Sequence, residues 1–245
     1  MAESKSSEAI IIRRNDWREN DSRVVLYTKN FGKLSLVARG AKKLRSKIAG
    51  HIEPISLVSV MVLNGRAYDY LGAAISRRAY LNIKNDLNAL YFVGAALALF
   101  DAQVKEDEAD EELFNFLISW LDNVEDNFAL SLDKENGELL YNYFAIKLLT
   151  ILGYKPQLYH CVDCHRKIEA GGNYFNLRLG GLICPDCLTK NQTKYLPNEL
   201  ISVSDNCIKL LRVFSEASQY QLIKTSPALI RELSRIVKSF VDFTL

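Results

Sequence analysis

The chain has 245 residues, 49% hydrophobic and 24% charged, which is apolar material enough for a sizeable core without disulfide staples. That composition excludes a disordered chain, a collagen-like repeat and a coiled-coil rod, and the length allows one large domain or two modest ones. The formal charge of +2 conceals a split: residues 1–81 hold 15 Lys and Arg against 7 Asp and Glu, whereas residues 82–245 hold 16 against 22. Such an imbalance points to two modules with different partners. Met1–Glu8 is polar and Ser-rich, with no signal-peptide core. The longest uncharged run, Leu87–Phe100, has 14 residues, short of the roughly 20 needed for a membrane span. The expectation is a cytoplasmic protein with no membrane segment.

Residues 9–80 read as β. Ala9–Arg14 is a short apolar strand, and Ser22–Thr28 and Lys33–Arg39 are rich in β-branched residues around a loop containing Gly32. Ile55–Leu63 alternates, Asn64-Gly65 carries a strong hairpin signal, and Arg66–Ala74 returns as its partner. Five short strands joined by tight turns suit a small barrel or sandwich.

From Asp86 the period becomes helical. Leu87–Gln103 is apolar nearly all round, which predicts a buried central helix, with Gly94-Ala95-Ala96 and Ala98 allowing close helix contacts. Glu111–Val124 sets Leu113, Phe116, Leu117, Trp120, Leu121 and Val124 on one stripe. Glu138–Leu152 is a third helix, stopped by Gly153, and Ser204–Ala217 and Pro227–Phe243 follow, the last with Ser226 as N-cap.

Four of the five cysteines form Cys161-x2-Cys164-x19-Cys184-x2-Cys187. A C-x2-C turn aims two thiolates at one ion, and two such turns joined by a Gly-rich hairpin complete a tetrahedral, closed, structural shell for one Zn²⁺. Three competing readings are weaker. Cys161–His165 matches the haem-attachment pattern but leaves Cys184 and Cys187 unexplained. Either pair alone reads as a redox dithiol. A zinc deaminase would draw on His51-x-Glu53 with Cys184-x2-Cys187, but it wants Pro before the first cysteine of that pair and strands Cys161 and Cys164. His160 and His165 read as bystanders, and Cys207 as a small core residue.

Between Lys29 and Ile52 there is no acid, and Arg39, Lys42, Lys43, Arg45 and Lys47 fall within nine residues. Arg13, Arg14, Arg18 and Arg23 add to the same domain. A basic loop on a small barrel is an electrostatic track for a polyanion, with Tyr27, Tyr68, Tyr70 and Tyr80 as candidate stacking platforms. By contrast, residues 101–138 hold 13 acids and two lysines.

The run Glu19-Asn20-Asp21-Ser22-Arg23-Val24-Val25-Leu26-Tyr27-Thr28, followed by Gly32-Lys33-Leu34, Val37-Ala38-Arg39-Gly40-Ala41-Lys42-Lys43 and Ile52-Glu53-Pro54, resembles the bacterial RecO family of DNA repair and recombination proteins. The chain departs from the family pattern at Ile52-Glu53, where Leu-Gln is usual. The four cysteines are compatible with the family but not diagnostic of it. The resemblance implies an α+β protein: an N-terminal OB-fold DNA-binding barrel (1–81), a helical domain (82–157 and 191–245) and an inserted zinc module (158–190). It also implies a nucleoid-associated recombination mediator rather than an enzyme. Such a protein binds and anneals single- and double-stranded DNA and acts with a RecR-type partner to load recombinase onto strands covered by single-strand-binding protein. Arg13, Arg14, Arg39, Lys42, Lys43, Arg45 and Lys47 are the candidate DNA contacts, with Cys161, Cys164, Cys184 and Cys187 as metal ligands. The alternatives are a deaminase-like, zinc-dependent enzyme acting on nucleic acid and a zinc-stabilised protein-interaction module.

Overall fold

A computed structural model describes residues 4–130, 132–190 and 194–244. The start of the polar N-terminal stretch (1–3) and the first residues of the last helical segment (191–193) lie outside the described residues. The chain forms two compact units, Met1–Leu132 and Asp133–Leu245.

The first unit opens with five strands, β1 (Ser4–Asp16), β2 (Ser22–Thr28), β3 (Gly32–Ala38), β4 (Ser56–Leu63) and β5 (Tyr70–Arg78). Their order is β1-β2-β3-β5-β4, and β4 returns to pair with β1. Closure is uneven, because β3 and β5 meet in parallel at one paired position, Val37 with Tyr70, where Val37 N–H donates to the Asp69 carbonyl at 2.9 Å. Alternation along the strands sends Ala9, Ile11, Val24, Leu26, Leu36, Ala38, Val58, Val60, Val62 and Leu71 into one core.

Two strand expectations are corrected. β1 begins at Ser4 rather than Ala9, since its polar first half pairs backbone to backbone with β4, Ser4 opposite Leu63 through Glu8 opposite Ser59. β5 begins at Tyr70 rather than Arg66. Asn64-Gly65 does not make a two-residue turn; Asn64–Asp69 is a six-residue loop in which Gly65 N–H donates to Asp69 Oδ1 at 3.1 Å. Glycine is required there for close approach, as a Cβ would lie 2.1 Å from the Tyr68 carbonyl oxygen.

Three helices complete the unit: α1 (Leu81–Asn85), which the sequence did not signal, α2 (Leu87–Gln103) and α3 (Glu111–Asn127). Asp86 caps α2 through Ala89 N–H at 2.8 Å, and Asp110 caps α3 through Leu113 N–H at 3.0 Å. α2 is not buried all round. Phe92, Val93, Leu97 and Phe100 face inward, while Leu87 is 84% exposed, Tyr91 is 69% exposed and Gly94 has open space beside it. The barrel meets these helices at Tyr27, whose ring stands edge-on to Phe100 at 5.0 Å and whose hydroxyl accepts from Asp110 N–H at 3.1 Å. Tyr80 is likewise buried, donating to Asp122 at 3.0 Å. Tyr27 and Tyr80 are therefore core residues and not stacking platforms.

The second unit is built on α4 (Lys134–Ile151), with β6 (Tyr174–Asn176), β7 (Gly181–Ile183), α5 (Pro185–Lys190), β8 (Leu200–Ser202), α6 (Asp205–Glu216) and α7 (Pro227–Thr244). Gly153, with φ +91°, follows α4 where a left-handed residue ends the helix. Ser204 and Ser226 cap α6 and α7, accepting from Cys207 and Leu229 N–H. Tyr143 of α4 packs against Phe214 of α6 at 5.7 Å and Tyr220 at 5.6 Å. β6 lies between β7 and β8, and its Phe175 stands edge-on to Phe240 of α7 at 5.2 Å, which seats the Cys-rich hairpin on the helices of its own unit. Among the described residues no helix is long and apolar enough to cross a membrane.

Candidate nucleic-acid interface and metal centre

The basic loop leaves β3 at Arg39 and reaches a single 3-10 turn at Ala49–His51. Its ends are pinned by apolar side chains: Ala41 and Ile52 are buried in the barrel core, and Ile48 packs against it. Gly40, at φ +65°, supplies the left-handed bend after β3, and its N–H donates to Asp21 Oδ1 at 2.8 Å. Lys42, Lys43, Arg45 and Lys47 between the pins, and Arg39 just before them, are all exposed, and Leu44 stands fully exposed among them. Lys42 reaches Asp16 at 3.3 Å.

Arg14 and Arg13, adjacent on β1, are engaged differently from the loop cations. The Arg14 guanidinium donates to the Ala49 carbonyl at 3.2 Å, the Ala41 carbonyl at 3.5 Å and Glu53 at 2.7 Å, so it ties both ends of the loop together. Arg13 pairs with Asp101 at 2.6 Å. Acids of residues 101–126 neutralise further barrel cations on this side, with Lys33 at 3.4 Å from Asp101 and Arg78 bonded to Asp122 and Asp126. Of the candidate stacking tyrosines, Tyr68 and Tyr70 lie beside the loop, joined by Trp17, which the sequence reading did not single out: Trp17 lies edge-on to Tyr68 at 5.5 Å, Arg23 sits 5.1 Å over Trp17, and Arg39 sits 4.0 Å over Tyr70.

Cys161, Cys164, Cys184 and Cys187 come together in the second unit, their sulfur atoms all within 4.8 Å of one another. A tetrahedron with Zn–S bonds near 2.3 Å has edges of about 3.8 Å. Cys164 Sγ and Cys184 Sγ are 3.8 Å apart. The donor set and its spacing therefore fit one tetrahedral ion.

The local backbone explains how the cysteines converge. His165, at φ +58°, turns the first pair back on itself, donating N–H to the Cys161 carbonyl at 2.9 Å, while Cys161 N–H donates to the Arg166 carbonyl at 2.8 Å. The second pair opens α5, and Cys184 N–H points at Cys161 Sγ at 3.5 Å. Val162 N–H to the Leu182 carbonyl, 2.9 Å, ties the two halves together. The Arg166 guanidinium holds the Cys164 thiol down at about 6, whereas burial pushes Cys184 and Cys187 up. Asp163, inside the first pair, accepts from Tyr195 Oη at 2.8 Å and from Lys194, joining the module to the segment leading into β8.

His160 and His165 are exposed and stand outside the four-sulfur cluster. His51 accepts from Ser76 N–H at Nδ1, 3.3 Å, and Glu53 bonds to Arg14, so the deaminase pair is occupied within the barrel. Cys207 is buried on α6, its thiol pushed up to about 12 by that burial.

The family model described as Recombination protein O N terminal matches residues 1–79, and Recombination protein O C terminal matches residues 84–245. The chain is similar to proteins named DNA repair protein RecO. That of Dehalococcoides mccartyi (strain CBDB1) is 31% identical over 243 residues, covering 98% of this chain and 90% of the relative. Those of Roseiflexus sp. (strain RS-1) and Desulforamulus reducens are 30% and 28% identical, covering 98% and 97% of this chain and 80% and 88% of the relatives. With both halves matched in the expected order and the similarity running the length of the chain, this protein belongs to the Recombination protein O family.

Proposed function

We propose that the chain is a recombination mediator whose basic loop grips the phosphate backbone of single- and double-stranded DNA. The observation that carries this reading is the loop itself: four exposed cations, Lys42, Lys43, Arg45 and Lys47, held outward between buried Ala41 and the half-buried Ile48, with exposed Arg39 just before Ala41. Arg39, Lys42, Lys43, Arg45 and Lys47 take phosphates, and Arg14 positions the loop by its bonds to Ala41 and Ala49. Arg13 extends the track where it is released from Asp101. The strand order β1-β2-β3-β5-β4 with return to β1 supports an OB-type barrel over residues 1–81, a scaffold suited to nucleic-acid binding.

One Zn²⁺ held by Cys161, Cys164, Cys184 and Cys187 is structural in this reading, since four sulfur donors leave no open position for a substrate. The module of 158–190 and the helices of 82–157 and 191–245 then serve protein contacts. A RecR-type partner, single-strand-binding protein and recombinase are the proposed partners, with annealing and recombinase loading as the activities. The relatives are DNA repair proteins by name, and theirs is not a known enzyme family.

The test is fluorescence anisotropy with single- and double-stranded oligonucleotides across a salt series. Lys43→Glu with Arg45→Glu and Lys47→Glu should weaken binding equally for unrelated sequences. It should also lower the log–log salt slope by about 2, since each lost phosphate contact removes about 0.7–0.9. Unchanged affinity in this variant removes the loop from the interface.

A further inference from the structure

We infer that Leu44, at the tip of the basic loop, is an apolar wedge that enters duplex DNA between two stacked base pairs. The inference rests on the DNA-binding reading above and adds a contact with the bases to the loop's grip on phosphate. It starts from what the fold does not ask of this residue. Leu44 is fully exposed, whereas its apolar neighbours Ala41 and Ile48 pack on the barrel core. It adds nothing to that core, and its side chain carries a hydration cost in water that a polar residue would not.

The backbone holds it there. Ser46 N–H donates to the Lys43 carbonyl at 2.9 Å, so Leu44 and Arg45 are the two central residues of a four-residue turn. The turn before it is closed by Lys43 N–H on the Gly40 carbonyl at 3.1 Å. Lys42 N–H donates to the Asn20 carbonyl at 3.0 Å, which ties the loop to the β1–β2 connection. With Arg14 bonded to Ala41 and Ala49, the tip stands on a braced base. Turn centres favour Gly, Pro, Asn, Asp and Ser for backbone reasons that leucine does not serve.

The surroundings indicate what the exposed side chain meets. Lys42, Lys43, Arg45 and Lys47 flank it, all exposed, and no acid occurs from Lys29 to Ile52. Among the described residues, Lys42 alone of these four meets a carboxylate, Asp16 at 3.3 Å. The centres of protein–protein interfaces are depleted of charge and leucine is under-represented among their anchors, so this tip is poorly suited to a protein partner. A base step of a duplex has the complementary pattern, apolar base faces stacked between the phosphates of two strands. Leucine is one of the side chains that wedge such a step open and kink the helix, while cations beside it hold the phosphates. Unstacking costs least where pairing is already broken, so the wedge also gives the chain a preference for mismatched duplex.

The experiment places 2-aminopurine, whose fluorescence rises on unstacking, at the centre of a short duplex and titrates the full chain to saturation. The parent should raise that fluorescence and bind a duplex with a central mismatch at least about fivefold more tightly than the fully paired one. Leu44→Ser should lose both the rise and the mismatch preference while keeping the parent's log–log salt slope, because every phosphate contact remains. Leu44→Met, an apolar side chain of similar size, should keep both. The loop variant Lys43→Glu/Arg45→Glu/Lys47→Glu should weaken paired and mismatched duplex alike. A parent that saturates the duplex with no rise in fluorescence overturns the wedge and leaves the phosphate grip standing, as does an equal rise from Leu44→Ser. Failure of the parent to bind duplex at all overturns the DNA-binding reading and the wedge with it.

Discussion

Gly32 shows how a single residue fixes the seam between strands and helices in the first unit. It opens β3 at φ +68°, and a Cβ there would lie 2.2 Å from the carbonyl oxygen of Glu108. Left-handed backbone alone costs an L-residue about 1–2 kcal/mol, and here the neighbour is rigid backbone rather than a flexible side-chain tip. Gly32→Ala should lower the denaturation midpoint of the chain by more than that backbone cost accounts for; an unchanged midpoint would show that the α2–α3 connection moves aside freely. The buried tyrosines act at the same scale. Burial pushes the Tyr27 and Tyr143 hydroxyls up to about 12 from an ordinary 10. Raised folded values mean that this contribution to stability is whole below pH 10 and drains away as pH climbs from 10 toward 12, because the unfolded tyrosines ionise first. Urea midpoints should therefore fall over that interval, with the buried tyrosines' share of the tyrosinate absorbance appearing only as the chain unfolds.

At the scale of elements, the Cys-rich hairpin is small: β6, β7 and β8 are three residues each. Strands this short do not hold by their own pairing, so the four sulfurs and the Phe175–Phe240 contact carry the module. Chelation, or Cys184→Ser, should speed hydrogen exchange at Val162 and Leu182, whose N–H groups are bonded to Leu182 and Gln157 carbonyls, while β1–β5 stay protected. Loss of protection in the barrel as well would show that the four-cysteine centre supports more than its own hairpin. The elements also differ in how legible they were. β2 and α2 keep the limits read from the sequence because β-branched density and the capping Asp86 are local signals. β5 was displaced by four residues because Asn64-Gly65 carries a hairpin signal that the close packing of Gly65 against Tyr68 and Tyr70 overrides. The polar half of β1 and the strand β8 carry no apolar alternation of their own; their partners define them. The loop cations and the four cysteines were readable as spacing, and Tyr68 and Tyr70 as candidate aromatics, whereas the contact of Tyr68 with Trp17 was not. Trp17 and Tyr68 lie 51 residues apart in sequence and meet only through the fold.

For the whole molecule, the charge split at residue 81 is not where the structure divides. The first compact unit runs to Leu132 and takes in α2 and α3, whose acids bring its net charge to about −1, with 17 Lys and Arg against 18 Asp and Glu. The acids are not spread evenly. Asp101, Glu111, Asp122 and Asp126 pair with Arg13, Lys33, Lys29 and Arg78, leaving the loop cations largely to solvent. Net charge and local charge thus make opposite predictions for two fragments. Met1–Tyr80 carries +8, but it loses the cover of Tyr27 by Phe100 and Phe114 and the Asp110 bond. Met1–Leu132 is near neutral, but it keeps the barrel seated on its helices. If a preformed loop binds DNA, the longer fragment should melt cooperatively and hold most of the affinity of the full chain at matched salt. The shorter fragment should bind a hydrophobic dye, melt without cooperativity and show only weak, steeply salt-dependent binding. Were Met1–Tyr80 to melt cooperatively and bind as tightly as the full chain, the helices would be dispensable to the interface, and overall charge rather than the anchored geometry of the loop would set affinity.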